Sequence, residues 1–300
     1  MLNYTMKIIQ LLKIHDFEKG ALEGPFYCNT IADHLQNHHS RIEKPHKHNF
    51  YAVFLFTSGT GLHEIDFHRY DVKPGSVFFL YPGQTHSWEL SDDADGFLFF
   101  HSEEFYEMAY VSNSIKEFPF FESNYSEKCI YLNAQQEHSI ELLFKTLYQE
   151  TLANEWKKKL LLLSVLTQIY IHLNRYIEHH STVNFSNLRH YRHLFSQFEK
   201  ELDAHFIEIK SATQYAEMLN ISQKHLNRIV KSITNTTTTD VITNRIVLEA
   251  KRQLIYTDNS LAQIALYLGY DDYTYFSRMF KKFTGVNASE FRKHYRSTEN

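Results

Sequence analysis

Cysteine is nearly absent: Cys28 and Cys129 are the only two in 300 residues. Two thiols cannot build the disulfide framework of a secreted domain, so a reducing cytoplasm is the expected setting. Long apolar runs are missing too. The stretch "LLLLSVL" at 160–166 is far short of the ~20 residues that cross a bilayer, so no membrane partner is expected. The opening "MLNYTMKIIQLLKIHD" interrupts its apolar residues with Lys7 and Lys13 and leads to no small-residue cleavage site, so no signal peptide is expected. Nor does one sign of charge dominate the whole chain, whose net charge is −4. That figure hides a split: residues 1–185 hold 15 Lys+Arg and 23 Asp+Glu, a balance of −8, and residues 186–300 hold 16 and 12, a balance of +4. A basic C-terminal part is expected where that part alone meets nucleic acid. The length fits two domains, and 43% hydrophobic with 22% charged residues is ordinary for a globular protein.

The basic part contains an internal repeat. In "LGYDDYTYFSRMFKKFTG" (268–285), Phe276, Met279, Phe280 and Phe283 recur at the i, i+3, i+4, i+7 positions of one helix face. Thr274, Ser277, Arg278 and Lys281 form a polar stripe on another face. Gly269 suits the left-handed end of a preceding helix and Asp271 the N-cap of the next, which spells helix, tight turn, helix. Residues 211–233, "SATQYAEMLNISQKHLNRIVKSI", repeat the pattern. Ser211 to Gln214 and Ser260 to Gln263 each read as a capping box, and Ala216, Leu219 and Asn220 match Ala265, Leu268 and Gly269. With one residue inserted in the second turn, Leu226, Ile229, Val230 and Ile233 match the phenylalanine face, and Lys224, Asn227, Arg228 and Lys231 match the polar stripe. Arg can bond guanine bidentately, Asn adenine, Thr a thymine methyl, and Lys can neutralise phosphate. Residues 240–256 between the copies read as one amphipathic helix of roughly 25 Å, a strut able to hold two recognition helices about one DNA turn, about 34 Å, apart.

These segments, with "NRIVLEAKRQLIYTDNSLAQIALYLGYDDYTYFSRMFKKFTG" and "SEFRKHYR", closely resemble the DNA-binding domain of AraC/XylS-family transcription regulators over about the last 110 residues. Two departures stand out. Where members commonly have a glycine after the first recognition helix there is "NTTTTD" (235–240), with Asn235 able to replace it, and Ala288 stands where a proline is common. The candidate DNA-contacting residues are Gln223, Lys224, His225, Asn227, Arg228 and Lys231 in the first copy and Tyr273, Thr274, Ser277, Arg278, Lys281 and Lys282 in the second. The resemblance implies a transcription regulator of promoter DNA, a ligand-responsive activator that meets RNA polymerase, and not an enzyme.

Residues 46–100 change period. Short aromatic and β-branched runs are broken by "SGTG", "KPG" and "YPG", the pattern of an antiparallel barrel or sandwich. "HKHNFY", "VKPGSVFFLYPGQTHSW" and "GFLFF" resemble the cupin-type sensor domain that precedes the DNA-binding domain in many of these regulators, over roughly residues 20–125. His46, His48 and His86 are the candidate metal ligands of such a barrel, because His46 and His48 share a strand face and "PGQTH" resembles the second cupin metal motif. The usual carboxylate ligand falls at about Ala52, which cannot coordinate, so no metal and no cofactor is expected. The expected use is a cavity for a small-molecule effector, a sugar or an aromatic acid, lined by His46, His48, Tyr81, His86 and Trp88. Glu64, Asp66 and Glu89 read as strand-face charges. The rival is a metal-dependent cupin enzyme, an isomerase or dioxygenase, with an appended helical domain.

Residues 134–180 return to helical period, with two helices meeting near Ala153–Glu155. In the second, Leu162, Leu166, Ile169, Leu173 and Tyr176 fall near heptad spacing, a candidate homodimer seam within helix 155–177. "HHSTVNFSN" at 179–187 is polar and poor in helix formers. The expected fold is α+β and multidomain: a cupin-like antiparallel β-barrel at 1–133, a helical dimerisation segment at 134–180, a linker at 181–187, and an all-α domain at 188–300. The last carries two helix-turn-helix units, 211–233 and 260–284.

Overall fold

A computed structural model of the chain describes residues 9–17, 25–42, 44–107, 115, 118–121, 128–178, 189–234 and 236–297. They form two compact units, Gln10–Phe185 and a second that includes Ser186–Asn300. The expected linker at 181–187 and the Asn235 substitution lie outside the described residues.

Among its described residues the first unit holds ten strands: β1 (Leu11–Leu12), β2 (Phe26–Thr30), β3 (His46–His48), β4 (Tyr51–Ser58), β5 (Gly61–Ile65), β6 (His68–Val72), β7 (Ser76–Leu80), β8 (Thr85–Leu90), β9 (Asp95–His101) and β10 (Cys129–Tyr131). One sheet runs β1-β3-β8-β5-β6, the other β10-β7-β4-β9-β2. Among the described residues, only the short β1–β3 pair is parallel. The β4 sequence shows why the second sheet is a middle layer. Ala52, Phe54 and Phe56 face the space between the sheets, where Phe50, Phe78 and Phe100 join them. Tyr51, Val53 and Leu55 face the other way, toward α3 (Ala134–Leu152) and α4 (Lys158–Glu178). A strand buried on both faces reads as a continuous apolar run, as "YAVFLF" does. Two smaller helices, α1 (Ile31–Ile42) and α2 (Glu103–Glu107), complete the unit.

Asn133 starts α3 by accepting bonds from the amides of Gln135 and Gln136. The chain breaks after Ala153 and resumes as α4, which is pinned to β9 by a 2.6 Å hydrogen bond between Tyr170 Oη and His101 Nε2. The heptad stripe is corrected here. Leu162, Leu166, Ile169 and Leu173 are 5% exposed or less, packed with Tyr170 on the chain's own sheet, and Tyr176 is half-buried against the same core. The sheet's apolar back face had no other cover, so it takes the most apolar stripe. The outward face of α4 instead shows Leu160, Leu161 and Ile171, with exposed Trp156 in the turn before it. Contrary to the sequence reading, the stretch Lys158–Ile177, with a mean hydropathy of 1.2, does reach membrane-spanning length and apolarity by composition. Its one-sided burial in the sheet core is the pattern of a core helix.

The second unit is all helical: α5 (Arg189–His205), α6 (Ala212–Met218), α7 (Gln223–Thr234), α8 (Thr238–Tyr256), α9 (Leu261–Tyr267), α10 (Tyr273–Thr284) and α11 (Ala288–Ser297). Helices α6–α7 and α9–α10 are the two copies of the repeat. Four residues separate the first pair and five the second, which is the one-residue insertion. Both turns have the same backbone: Asn220 and Gly269 are left-handed (φ 54° and 75°), and the amides of Ile221 and Tyr270 close onto Ala216 and Ala265. Leu226, Ile229 and Val230 bury into the same core as Phe276 and Phe280.

Three capping details differ from the sequence reading. The cap of α10 is Asp272 and not Asp271, since the inserted residue moves the helix start; its carboxylate accepts from the amides of Thr274 and Tyr275. Ser260 and Gln263 form a capping box, but the Ser211 side chain caps nothing, its backbone sitting at ψ 121° against 157° at Ser260. The "NTTTTD" segment supplies a cap of its own, as Thr237 and Asp240 bond each other's amides and start α8 at Thr238. At about 1.5 Å per residue this strut of 19 residues is about 28 Å long.

The equivalence of the two turns is testable. A Cβ on Gly269 would meet the Ile207 carbonyl oxygen at 2.4 Å, so Gly269→Ala combines a left-handed penalty of about 1–2 kcal/mol with a clash. Asn220→Gly keeps the same φ without strain and is expected to stay within about 0.5 kcal/mol of the parent. Urea denaturation followed by helical circular dichroism checks both; equal losses would show that the two turns are not equivalent.

Candidate nucleic-acid interface and histidine core

On α7, Gln223, Lys224, Arg228 and Lys231 are exposed, with His225 and Asn227 half-buried. On α10, Tyr273, Thr274, Arg278, Lys281 and Lys282 are exposed, with Ser277 half-buried. Lys224, Arg228 and Lys231 repeat as Thr274, Arg278 and Lys281, the same i, i+4, i+7 spacing opposite the same kind of buried face. Each stripe runs from the helix's N-terminal turn, the end that a recognition helix offers to base edges.

The surroundings of the two stripes differ. In the first copy, Gln223 accepts a 3.0 Å bond from Thr213 of α6, so the opening of α7 is tied to the helix before it. Tyr191 of α5 lies beside the same stripe, with its ring 5.9 Å from the Arg228 guanidinium and 6.2 Å from the His225 ring. Sequence reading missed Tyr191, because nothing in the periodicity of α5 says which neighbouring helix it touches. In the second copy the exposed Tyr275 stacks on Tyr270 of the turn, ring centroids 5.9 Å apart.

In the first unit, four of the five candidate effector residues come together and one does not. His46 and His48 on β3 point between the sheets, 2% and 1% exposed, and His86 on β8 pairs directly opposite His46. Half-buried Trp88, two residues along β8, meets the His86 ring at 5.4 Å and Phe54 edge-on at 5.3 Å. Tyr81 is the correction. It follows inward-facing Leu80 and so has the opposite strand parity, and it packs in the core under α3 and α4 with the Lys128 ammonium 5.0 Å from its ring. A fourth histidine was missed: His63 on β5, completely buried. Its signal was parity, since it shares a strand face with apolar Ile65.

The histidines are bonded in series. His63 Nε2 lies 2.9 Å from His86 Nδ1, and His86 Nε2 lies 3.0 Å from His48 Nε2. His46 Nδ1 donates to the Lys44 carbonyl at 2.9 Å. Burial holds His63 down to about 3, His48 and His86 well below the ordinary histidine value, and His46 below it too, so the group is neutral at pH 7. One ring nitrogen each from His46, His48 and His86 lies within 4.8 Å of the other two. Ala52 sits fully buried on the inner face of β4. The three carboxylates read as strand-face charges do structural work or face water: Glu64 pairs with Arg69 at 2.9 Å, Asp66 accepts the Thr85 amide, and Glu89 is exposed.

Comparison with known proteins agrees with this division. Residues 30–166 match the AraC-like ligand binding domain and residues 215–294 a helix-turn-helix domain. The HTH-type transcriptional activator RhaS of Mannheimia succiniciproducens is 24% identical over 249 residues, 82% of this chain and 88% of its own. RhaR of the same organism is 22% identical over 256 residues, 83% and 87% of the two chains. Among solved structures, ToxT of Vibrio cholerae aligns with a TM-score of 0.40 and 12% identity, covering 90% of this chain and 98% of that one. With a sensor-type β domain followed by a duplicated helix-turn-helix unit, each matched in its own right, this chain belongs to the AraC/XylS family of DNA-binding transcription regulators.

Proposed function

We propose that the chain is a ligand-responsive activator, with α7 and α10 as recognition helices entering successive major-groove segments of one promoter face. The observation that carries this reading is the duplicated stripe: two helices, joined through α8, present Arg and Lys at the same spacing from equivalent turns. Arg228 and Arg278 read base edges, with Gln223, His225, Asn227, Tyr273, Thr274 and Ser277 beside them. Lys224, Lys231, Lys281 and Lys282 hold phosphates. The Tyr191 ring beside Arg228 would orient the guanidinium before DNA arrives, which favours a more rigid first contact.

The β unit is the sensor. An effector, a sugar or an aromatic acid, would hydrogen-bond neutral His46, His48 and His86, with His46 accepting through Nε2 because its one N–H is held by the Lys44 carbonyl, and stack on Trp88. Tyr81 has no part in that contact. Binding shifts activity only if the effector's affinity differs between two arrangements of the protein. The chemistry is recognition in the cytoplasm, not turnover, and the protein partner at the promoter is RNA polymerase. Two copies pair through the outward face of α4 and the turn before it, where Leu160 (56%), Leu161 (44%) and Trp156 (84%) are exposed.

Arg228→Ala and Arg278→Ala should each weaken specific DNA binding by about 1–3 kcal/mol and relax preference at the bases they read. Lys281→Ala should weaken all duplexes about equally and lower the slope of log K against log salt by about one. Fluorescence anisotropy across a salt series separates these outcomes, and unchanged binding in all three variants would remove the assigned face. Sedimentation equilibrium tests the pairing: Leu160→Asp with Leu161→Asp should turn a dimer into a monomer without altering the circular dichroism spectrum. A dimer that persists would place the interface elsewhere.

A further inference from the structure

At one equivalent position the two recognition helices part. His225 and Tyr275 each precede the first buried residue of their helix, Leu226 and Phe276, so the repeat sets them in the same place. His225 is drawn in: it is half-buried, its ring lies 6.2 Å from Tyr191 of α5, and its Nε2 is buried without a hydrogen bond. Tyr275 stands out, 60% exposed. Exposure alone is ordinary for a surface ring, so what counts is how this one is held.

A chain of contacts braces it. The Tyr275 ring stacks on Tyr270 of the turn at 5.9 Å with 28° between the planes. Tyr270 packs on the core ring of Phe276 at 5.5 Å and has the Lys210 ammonium 4.9 Å from its own ring. Lys210 donates to the Ile207 carbonyl at 2.6 Å, the same carbonyl that Gly269 approaches too closely to carry a Cβ. The brace therefore runs from the loop before α6, through the turn of the second copy, to the surface of α10. A ring fixed in this way loses little freedom when a partner covers it, unlike the long lysine and arginine side chains around it.

Its place on the helix says what that partner is. Tyr275 lies in the first turn of α10, three residues before Arg278 and seven before Lys282 on one stripe. The first turn of a recognition helix is the part that meets base edges, and in the major groove the one apolar group that a base pair presents is the 5-methyl of thymine. The stack on Tyr270 occupies one face of the ring and leaves most of the side chain open to such a group. We infer that Tyr275 is a specificity-determining residue, its braced ring covering the methyl group of a thymine in the second half-site. The inference rests on the reading of α10 as a recognition helix and names one base that it selects. Withdrawn His225 gives the first half-site no counterpart of this apolar contact.

The test uses full-length protein and a duplex carrying both half-motifs, obtained by selection from a random library with the same protein. Each thymine of the second half-motif is replaced in turn by deoxyuridine, which removes the methyl group and keeps the hydrogen-bonding edges, and binding is followed by fluorescence anisotropy. One replacement should weaken binding by the parent about fourfold, which is what burying one methyl group is worth. That loss should vanish in Tyr275→Ala, return in Tyr275→Phe and shrink in Tyr270→Ala, where the brace is gone. Circular dichroism confirms that the variants fold. A scan with no sensitive thymine overturns the inference, as does a loss that persists in Tyr275→Ala. If Tyr275→Phe weakens every duplex alike, the hydroxyl sits on a phosphate and the inference falls as well. Arg278→Ala separates this inference from the reading beneath it. Loss of second half-motif preference in Arg278→Ala, with Tyr275→Ala behaving as the parent, removes Tyr275 alone; no change in either variant takes α10 out of the groove and the inference with it.

Discussion

The second unit depends on the burial of Glu249 and Arg252 within α8. Glu249 is 3% exposed and Arg252 1%, the latter one of the largest fully buried side chains among the described residues. Glu249 accepts Gln253 Nε2 at 3.1 Å and lies 3.4 Å from Arg252 and 3.7 Å from Arg245. Arg245 in turn binds Asp203 of α5 at 2.7 Å. Gln253 takes a bond from Asn259, whose carbonyl accepts Arg292 of α11 at 2.6 Å. A buried ionic group of this kind adds little net stability over an apolar one, but removing one partner leaves an uncompensated charge and costs about 3–5 kcal/mol. Its value lies in geometry. Bonds with fixed directions tie the strut to the helices in front of the first copy and behind the second, which keeps the two stripes in one register.

The β unit solves a different problem with the same means. Its second sheet is covered by α3 and α4 on one side and by the first sheet on the other, so nearly every position of β4 is apolar. Between the sheets, the strands of the first sheet carry the polar groups, where β3, β5 and β8 bring four histidines into contact. Apolar rings surround them, including Phe50 stacked on His48 at 4.5 Å.

Much of this was legible in the sequence. The repeat, its inserted residue and both left-handed turns follow from periodicity and from Asn and Gly at matched positions, because a helix face and a turn are local properties. Capping was less legible: an inserted residue moved the start of α10 from Asp271 to Asp272, and a few tens of degrees in ψ separate the idle Ser211 from the working Ser260. Tertiary placement was least so. Heptad-like spacing on α4 could serve a partner or the chain's own sheet, and the sheet's uncovered back face decided it. Tyr81 was misplaced by one step of strand parity, and His63 was overlooked although Ile65 beside it marks the inward face.

The central claim is that two equivalent helices read one stretch of DNA. Selecting bound sequences from a random duplex library at near-physiological salt, with the full-length protein, tests it most directly. The account predicts two distinct half-motifs with centres about one helical turn, about 34 Å, apart within the footprint of a single chain. A single half-motif, unaffected by any change of sequence one turn away, would contradict it.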